Sequence, residues 1–314
     1  MSTVSVFFVI NVPCYFWTGL FLVILNLPVS YAIAKNIDLR IRYGLMLSLF
    51  LTCALSGVAG VFKAIYRIVG FFAVEHDDDT VIATYLCLFN PIILCDIYTF
   101  GSVAVLLLAN SVDRYLVISW PVKYYLRIKE IVFWEIVITH LFTLLSFIVI
   151  IIICAVFSDH LATIECRQAA YFPENLYTFI VCMRALFTML SIAVMGLVLL
   201  RLRWRVEDHG NFVNDRKLAV FRSKQQSFTR LMIASCMVTL VLDVIPNCIS
   251  AYAHLWSIPG MAEYTAYTRY ASYLNDMNLV LVTSLGQKEI REEMLVRFSL
   301  LSNVFRRFQR SSES

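Results

Sequence analysis

Long apolar runs alternate with short polar segments along the whole chain. A helix that crosses a bilayer needs about 20 mostly apolar residues to cover ~30 Å of hydrocarbon. Seven stretches are long enough: 10–34, 43–66, 84–118, 131–157, 176–200, 228–256 and 264–286. The fourth is the clearest, because residues 141–157 carry no charge. The seventh is the most polar, since Arg269, Asn275 and Asp276 interrupt it. Such groups are tolerated in a membrane helix that turns them toward neighbouring helices or water. Pro28 and Pro246 lie inside the first and sixth runs, where helices in lipid accommodate a kink. Beyond the seventh run, Ile290, Met294, Leu295 and Phe298 recur at helical spacing, with Lys288, Arg291 and Arg297 between them. That pattern predicts a short amphipathic helix lying on the cytoplasmic face. The expected fold is therefore an all-α membrane protein: a seven-transmembrane helix bundle over residues 1–286, then an amphipathic cytoplasmic helix and tail over 287–314.

Composition agrees with this pattern. The chain is 60% hydrophobic and 15% charged, whereas a soluble domain is roughly half apolar and a quarter charged. Charge placement sets the expected orientation. Of 26 Lys and Arg residues, 21 fall in 35–42, 114–130, 201–230 and 287–314. The segment 70–83 has none and carries Glu75, Asp77, Asp78 and Asp79. Basic loops stay on the cytoplasmic side, so the N-terminus is expected outside and the C-terminus in the cytoplasm. No positive residue precedes the first run, and Asn11 and Pro13 interrupt it early, so the first span is expected to act as its own insertion signal. The 9 cysteines are scattered and the 5 histidines isolated, which argues against a disulfide scaffold or a zinc module. Phosphate-binding glycine loops and nucleophile elbows are absent from the sequence. The expectation is a protein that is not an enzyme and has no cofactor, metal or nucleic-acid partner. The sequence has no internal repeat, which weighs against a secondary transporter.

Following the third run comes Asp113-Arg114-Tyr115-Leu-Val-Ile118-Ser-Trp-Pro121-Val-Lys-Tyr124. Every fixed position of the pattern DRYxxIxxPxxY matches, at the predicted inner end of a span. In this segment the chain resembles rhodopsin-like seven-transmembrane G-protein-coupled receptors. Less specific pieces agree. Gly19 to Asn26 resembles the polar end of a first-helix motif, although Leu25 precedes the Asn. Pro246 sits where a sixth-helix kink belongs, and Ser284 to Glu292 resembles a short eighth helix. Several features depart from the family. The seventh-helix NPxxY pattern is reduced to Asn278-Leu-Val-Leu-Val282, and the second run has no Asp. Val244 replaces an aromatic before Pro246, the fifth run lacks its proline, and no Asn-x-Ser/Thr sequon exists. Erosion of this kind in so small a chain is most similar to the divergent nematode serpentine chemoreceptors, with the gamma and V classes closest.

The resemblance implies that Asp113, Arg114 and Tyr115 couple to a G protein. Asp113 would hold Arg114 at rest, and outward movement of the sixth helix would free it. The competing reading has Arg114 snorkelling to lipid phosphates. No acid opens the sixth run, where Gln226 is followed by Arg230, so a lock between helices is expected to be weak and basal activity appreciable. Asp96 lies 18 residues before Arg114; that is five turns, which puts both on one face ~27 Å apart. It is read either as an amine-binding carboxylate near the outer mouth or as the structural partner of Lys63 or Arg67. Arg184, Asp243 and Asp276 fall ~13–20 Å into the membrane, where charges need partners. Arg184 and Asp243 are read equally as a packing pair and as ligand-binding candidates. Asn275, Asp276 and Asn278 are expected to form a polar switch cluster. The resemblance also implies a disulfide from Cys166 to the outer top of the third span, with Cys87 preferred over Cys95 and two free thiols as the remaining alternative.

The resemblance further implies a ligand pocket in the outer half, among spans three, five, six and seven. Tyr98, Phe100, Phe187, Tyr252, Tyr267, Tyr270 and Tyr273 would surround a small, partly apolar ligand. The expected function is a chemosensory (olfactory) receptor of the plasma membrane, with sensory-neuron cilia as one setting. It would bind a small-molecule cue, activate a heterotrimeric G protein and meet membrane lipid on its flanks. The alternative is a seven-span ligand-gated channel or transporter with a water path along Arg184, Asp243 and Asp276. Neither aspartate has the Gly-x-Gly-Asp context of an intramembrane protease, and the seventh run has no Lys to hold retinal.

Overall fold

The computed structural model describes residues 3–73, 81–157, 161–163, 166, 172–208, 233–256 and 261–297. Helix α1 (Thr3–Lys35) starts ahead of the predicted first run and carries Pro13 and Pro28 inside it. Asn36 then caps α2 (Ile37–Arg42), its side chain accepting from the Asp38 and Leu39 N–H groups at 3.1 and 3.3 Å. This satisfies donors that the first helical turn leaves unpaired. Helix α3 spans Gly44–Ala73. The predicted third run is not one helix. It divides into strand β1 (Val81–Ala83), a short α4 (Thr84–Leu88) and α5 (Pro91–Ser119). Asn90 causes the break between α4 and α5: its side chain accepts from Ile92 N–H at 3.0 Å, and Pro91 occupies a first-turn position that needs no donor.

Helix α6 (Pro121–Val156) begins ten residues before the predicted fourth run, with non-helical backbone at Arg127 marking a kink. Strand β2 (Leu161–Thr163) pairs antiparallel with β1, Ile82 opposite Ala162. Helix α7 covers Glu174–Asp208, and α8 covers 233–255. Within α8, Leu240–Val244 form a π turn in which the Ile245 N–H bonds to the Leu240 carbonyl. The expected irregularity at Pro246 thus takes the form of a widened turn just before it. Helix α9 (Met261–Gly286) and α10 (288–297) end the described chain.

Among the described residues six helical segments are long and apolar enough to cross a bilayer: Asn11–Lys35, Gly44–Gly70, Pro91–Ser119, Pro121–Val156, Asn175–Leu202 and Ile233–Leu255. This fits a multi-pass membrane protein. Helix α9 has the length, but its polar positions keep it out of that group. Helix α5 lies at the centre, packed against α3, α6 and α7. Helix α6 lies at the periphery, and its Leu141, Leu145, Ile148 and Ile152 form an exposed apolar stripe. Helices α1 and α3 meet through Gly19 and Gly57. A Cβ on either glycine would stand 2.6 Å from the other's carbonyl oxygen, so only hydrogen fits there. Small residues allow this close backbone approach where lipid gives no hydrophobic drive for helices to associate.

Helix α10 docks on the corner between α1 and α3. Ile290 is fully buried with Val29, Ile33 and Leu39, and Met294 packs beside them. Polar bonds fasten its outer side: Asn36 to Glu293 at 3.2 Å, Arg42 to Glu289 at 3.4 Å and the Tyr43 hydroxyl to Gln287 at 3.1 Å. Burial raises the Tyr43 phenol above its ordinary pKa, which keeps the hydroxyl a donor. Leu295, expected on the packed face, is 64% exposed, and Phe298 lies outside the described residues.

Candidate functional site

Helix α5 buries two charge centres at opposite ends. At the Asp96 end the carboxylate is sealed from solvent. Lys63 of α3 donates to its Oδ2 at 2.8 Å, Arg269 of α9 donates to Oδ1, and the Tyr273 hydroxyl approaches Oδ1 at 3.5 Å. Of the two cations expected as partners, Lys63 makes the ion pair. Arg67 lies over the Tyr15 ring at 5.0 Å and donates to Asn11 Oδ1 at 3.4 Å. The second cation, Arg269, was not anticipated as a partner. The signal for it was present, since it is the only basic residue of 261–286 and a membrane charge must find a counter-charge. Two cations bonded to one carboxylate leave an incoming amine to displace a native partner.

A second centre joins α7, α8 and α9. Arg184 donates to Asp243 Oδ1 through Nε at 3.0 Å and Nη2 at 2.7 Å, and its Nη1 reaches the Phe100 carbonyl at 2.5 Å. Asp243 sits in the π turn and also accepts from Ser272 at 2.7 Å, Thr188 at 3.0 Å and Asn247 at 3.2 Å. A buried carboxylate is tolerable only with donors of this number and quality. The Phe100 ring lies between the two centres, 4.3 Å from the Arg184 guanidinium and 4.5 Å from that of Arg269. One aromatic ring thus meets both cations.

The residues expected as one polar cluster are divided. Thr239 donates to Asn275 Oδ1 at 2.8 Å, and Asn278 donates to Ser235 at 3.0 Å. Both bonds tie α9 to the first half of α8. Asp276 is buried, and its Oδ1 accepts no hydrogen bond among the described residues. Asn26, from the first-helix motif, donates to the Leu22 carbonyl of its own helix at 2.9 Å.

At the other end of α5, Asp113 Oδ2 and Arg114 Nε are 3.5 Å apart, and both residues are buried. Pro121 starts α6 so that Tyr124 falls in its first turn, from where its hydroxyl donates to Asp113 Oδ1. The Arg114 guanidinium stands 5.9 Å from the Tyr43 ring centre. Tyr115 packs against the Val29, Ile33 and Met46 cluster. Gln226 and Arg230, at the predicted start of the sixth run, lie outside the described residues. So do residues 209–227 of the basic loop. The carboxylate oxygens of half-buried Glu135 of α6 are shielded near this pair, although in the sequence the residue reads as one more charge in a mixed segment.

Cys87 of α4 is disulfide-bonded to Cys166, with Cα atoms 5.5 Å apart, and Cys95 is a free thiol. The bridge packs among Ile93, Phe172, Tyr177 and Val181. Nearby, a cavity of 290 Å³ opens between α5, α6 and α7. It is not where the aromatic residues were expected to enclose a ligand. Tyr98 and Phe187 do line it. Tyr252 and Tyr267 instead face outward, while Tyr270 and Tyr273 pack on Tyr15. Among the described residues no group of His, Cys, Asp and Glu is arranged to hold a metal ion. No family model matches this chain, and no curated protein matches it in sequence.

Proposed function

We propose that this chain is a rhodopsin-like G-protein-coupled receptor of the divergent serpentine chemoreceptor type, which binds an extracellular small molecule and activates a heterotrimeric G protein. In this reading α9 completes the bundle as a seventh span, and α10 lies along the cytoplasmic face of the plasma membrane. Asp113, Arg114 and Tyr115 form the coupling element.

The observation that carries the proposal is the clasp at the inner end of α5. The first and last residues of the DRYxxIxxPxxY segment, Asp113 and Tyr124, are hydrogen-bonded, and Arg114 pairs with the same carboxylate. A snorkelling arginine would reach out to phosphate; Arg114 is 4% exposed. Activation would be a population shift between two helix packings. Only a ligand that prefers the open packing produces it. The π turn that carries Asp243, next to Pro246, is where α8 would bend. Ser272, Thr188 and Arg184 are the bonds such a bend would re-sort. The channel reading needs Arg184 and Asp243 beside water, yet they are 2% and 0% exposed and bonded to one another.

The test is expression with a promiscuous G protein and a screen of volatile and water-soluble cues. An active cue should lose its effect in Arg114→Ala at equal surface expression. Normal signalling by that variant, or currents that persist without any G protein, would end the receptor reading.

A further inference from the structure

The 290 Å³ cavity between α5, α6 and α7 lies in the half of the bundle that holds Asp96, away from Arg114. Gly101 of α5 helps to form it. A Cβ built on Gly101 would meet nothing within 4 Å, so the space beside it is real and unfilled. Phe142, Phe147, Phe179 and Phe187 contribute aromatic walls. Phe142 and Phe179 are 45% and 58% exposed on the flank of the bundle. For spanning helices that flank faces hydrocarbon, so the mouth opens sideways into the bilayer.

Most polar groups in the lining are already engaged. The Tyr98 hydroxyl is bonded to His140 Nδ1 at 2.8 Å, the Thr143 hydroxyl donates to the Thr139 carbonyl at 2.9 Å, and the Arg184 guanidinium is turned to Asp243. The Ser146 hydroxyl remains for a guest to meet. A pocket with this lining rejects charged and heavily polar molecules, which would lose their water without compensation. A dry cavity of ~150 Å³ holds benzene. Twice that volume suits about a dozen non-hydrogen atoms. Four flat walls favour ring systems, which pack edge-to-face against them. A flexible chain would lose more conformational entropy on binding.

We propose that this crevice binds a compact, almost wholly apolar ring molecule that enters from the hydrocarbon phase and presents at most one acceptor to Ser146. The occupant would lie against the Arg184 side chain, whose head group holds the π turn of α8. Filling the crevice would therefore bear on how α7 and α8 pack. That last step depends on the receptor reading; binding does not.

The test uses the full chain in lipid nanodiscs with no G protein present. Benzophenone serves as probe, a two-ring ketone with one acceptor oxygen that crosslinks to neighbouring C–H bonds on irradiation. Mass spectrometry should find saturable adducts at Met183 and Val105, suppressed by excess cyclohexylbenzene, a ring competitor that does not quench the ketone's excited state. Gly101→Leu fills the space and should cut labelling about tenfold. Ser146→Ala should weaken benzophenone a few-fold and leave cyclohexylbenzene, which has no acceptor, unchanged. If Gly101→Leu fails to fold, Gly101→Ala and the adduct map of the unaltered chain decide. Three results would overturn the proposal. One is non-saturable labelling spread over the lipid-facing residues. Another is wild-type labelling of a folded Gly101→Leu chain. The third is a diazirine-tailed phosphatidylcholine that labels the crevice and resists cyclohexylbenzene, which would make a lipid tail the occupant. Adducts without G-protein coupling would remove the receptor reading and keep the site; coupling without adducts would do the reverse.

Discussion

Replacing Asp243 by Leu isolates a guanidinium inside the bundle. Arg184 would keep only the Phe100 carbonyl and the Phe100 ring among the partners described above. Stripping one member from a buried ion pair costs about 3–5 kcal/mol. The lower end applies here, because helices separated within lipid find substitute polar partners. Removing both charges should cost far less. In an Arg184→Met, Asp243→Leu double variant, Thr188 retains its bond to the residue 184 carbonyl and Asn247 its bond to the residue 243 carbonyl. Ser272 loses its acceptor, a loss of about 1 kcal/mol. The second substitution should thus restore about 2–3 kcal/mol of what the first removes. Thermal unfolding of the purified chain in detergent reads this directly. At ~2–4 °C per kcal/mol, Asp243→Leu should melt at least ~6 °C below the wild type, and the double variant within a few degrees of it. A single variant that melts with the wild type, or a double variant as unstable as the single, would refute the view that these charges hold each other in a dry interior.

Other outcomes follow from the same geometry. Gly57→Ala should destabilise by about 1–3 kcal/mol, because backbone meets backbone there, whereas Gly101→Ala should gain up to ~1 kcal/mol from helix propensity in open space; equal melting shifts would contradict both. Reduction of Cys87–Cys166, whose partners are 79 residues apart, should lower stability by up to about 4 kcal/mol, seen as a gap between oxidised and reduced melting curves. Asp96→Asn should lower the melting temperature and weaken every ligand response together; responses unchanged for every active ligand would exclude a binding role. Tyr124→Phe removes a bond to a charged acceptor worth about 1.5–3 kcal/mol, and basal output in a G-protein reporter should rise several-fold; unchanged basal output would remove the clasp from the mechanism.

Hydropathy located the apolar helices because length in lipid is a one-dimensional requirement. It missed what depends on single residues. Asn90 and Pro91 restart the helix inside an unbroken apolar run, and Pro121 launches α6 well before the apolar stretch begins. Strands β1 and β2 are too short to carry an alternating pattern. Arg184 and Asp243 were legible as a pair because two isolated membrane charges of opposite sign had few other choices. The Arg269–Asp96 pair was harder to foresee, since the local candidates Lys63 and Arg67 competed and only the bundle decides which reaches. The cavity had no sequence signal, because a void arises where three helices fail to fill the space between them.

The interlock of Gly19 with Gly57 bears on where this molecule can yield. Two helices whose main chains touch cannot slide past each other without collision, so α1 and α3 behave as one plank. Helix α10 is riveted to that plank through Ile290. Any rearrangement falls instead to α7 and α8, where removable side-chain bonds hold the helices. The bundle is thus divided into a stator and a rotor.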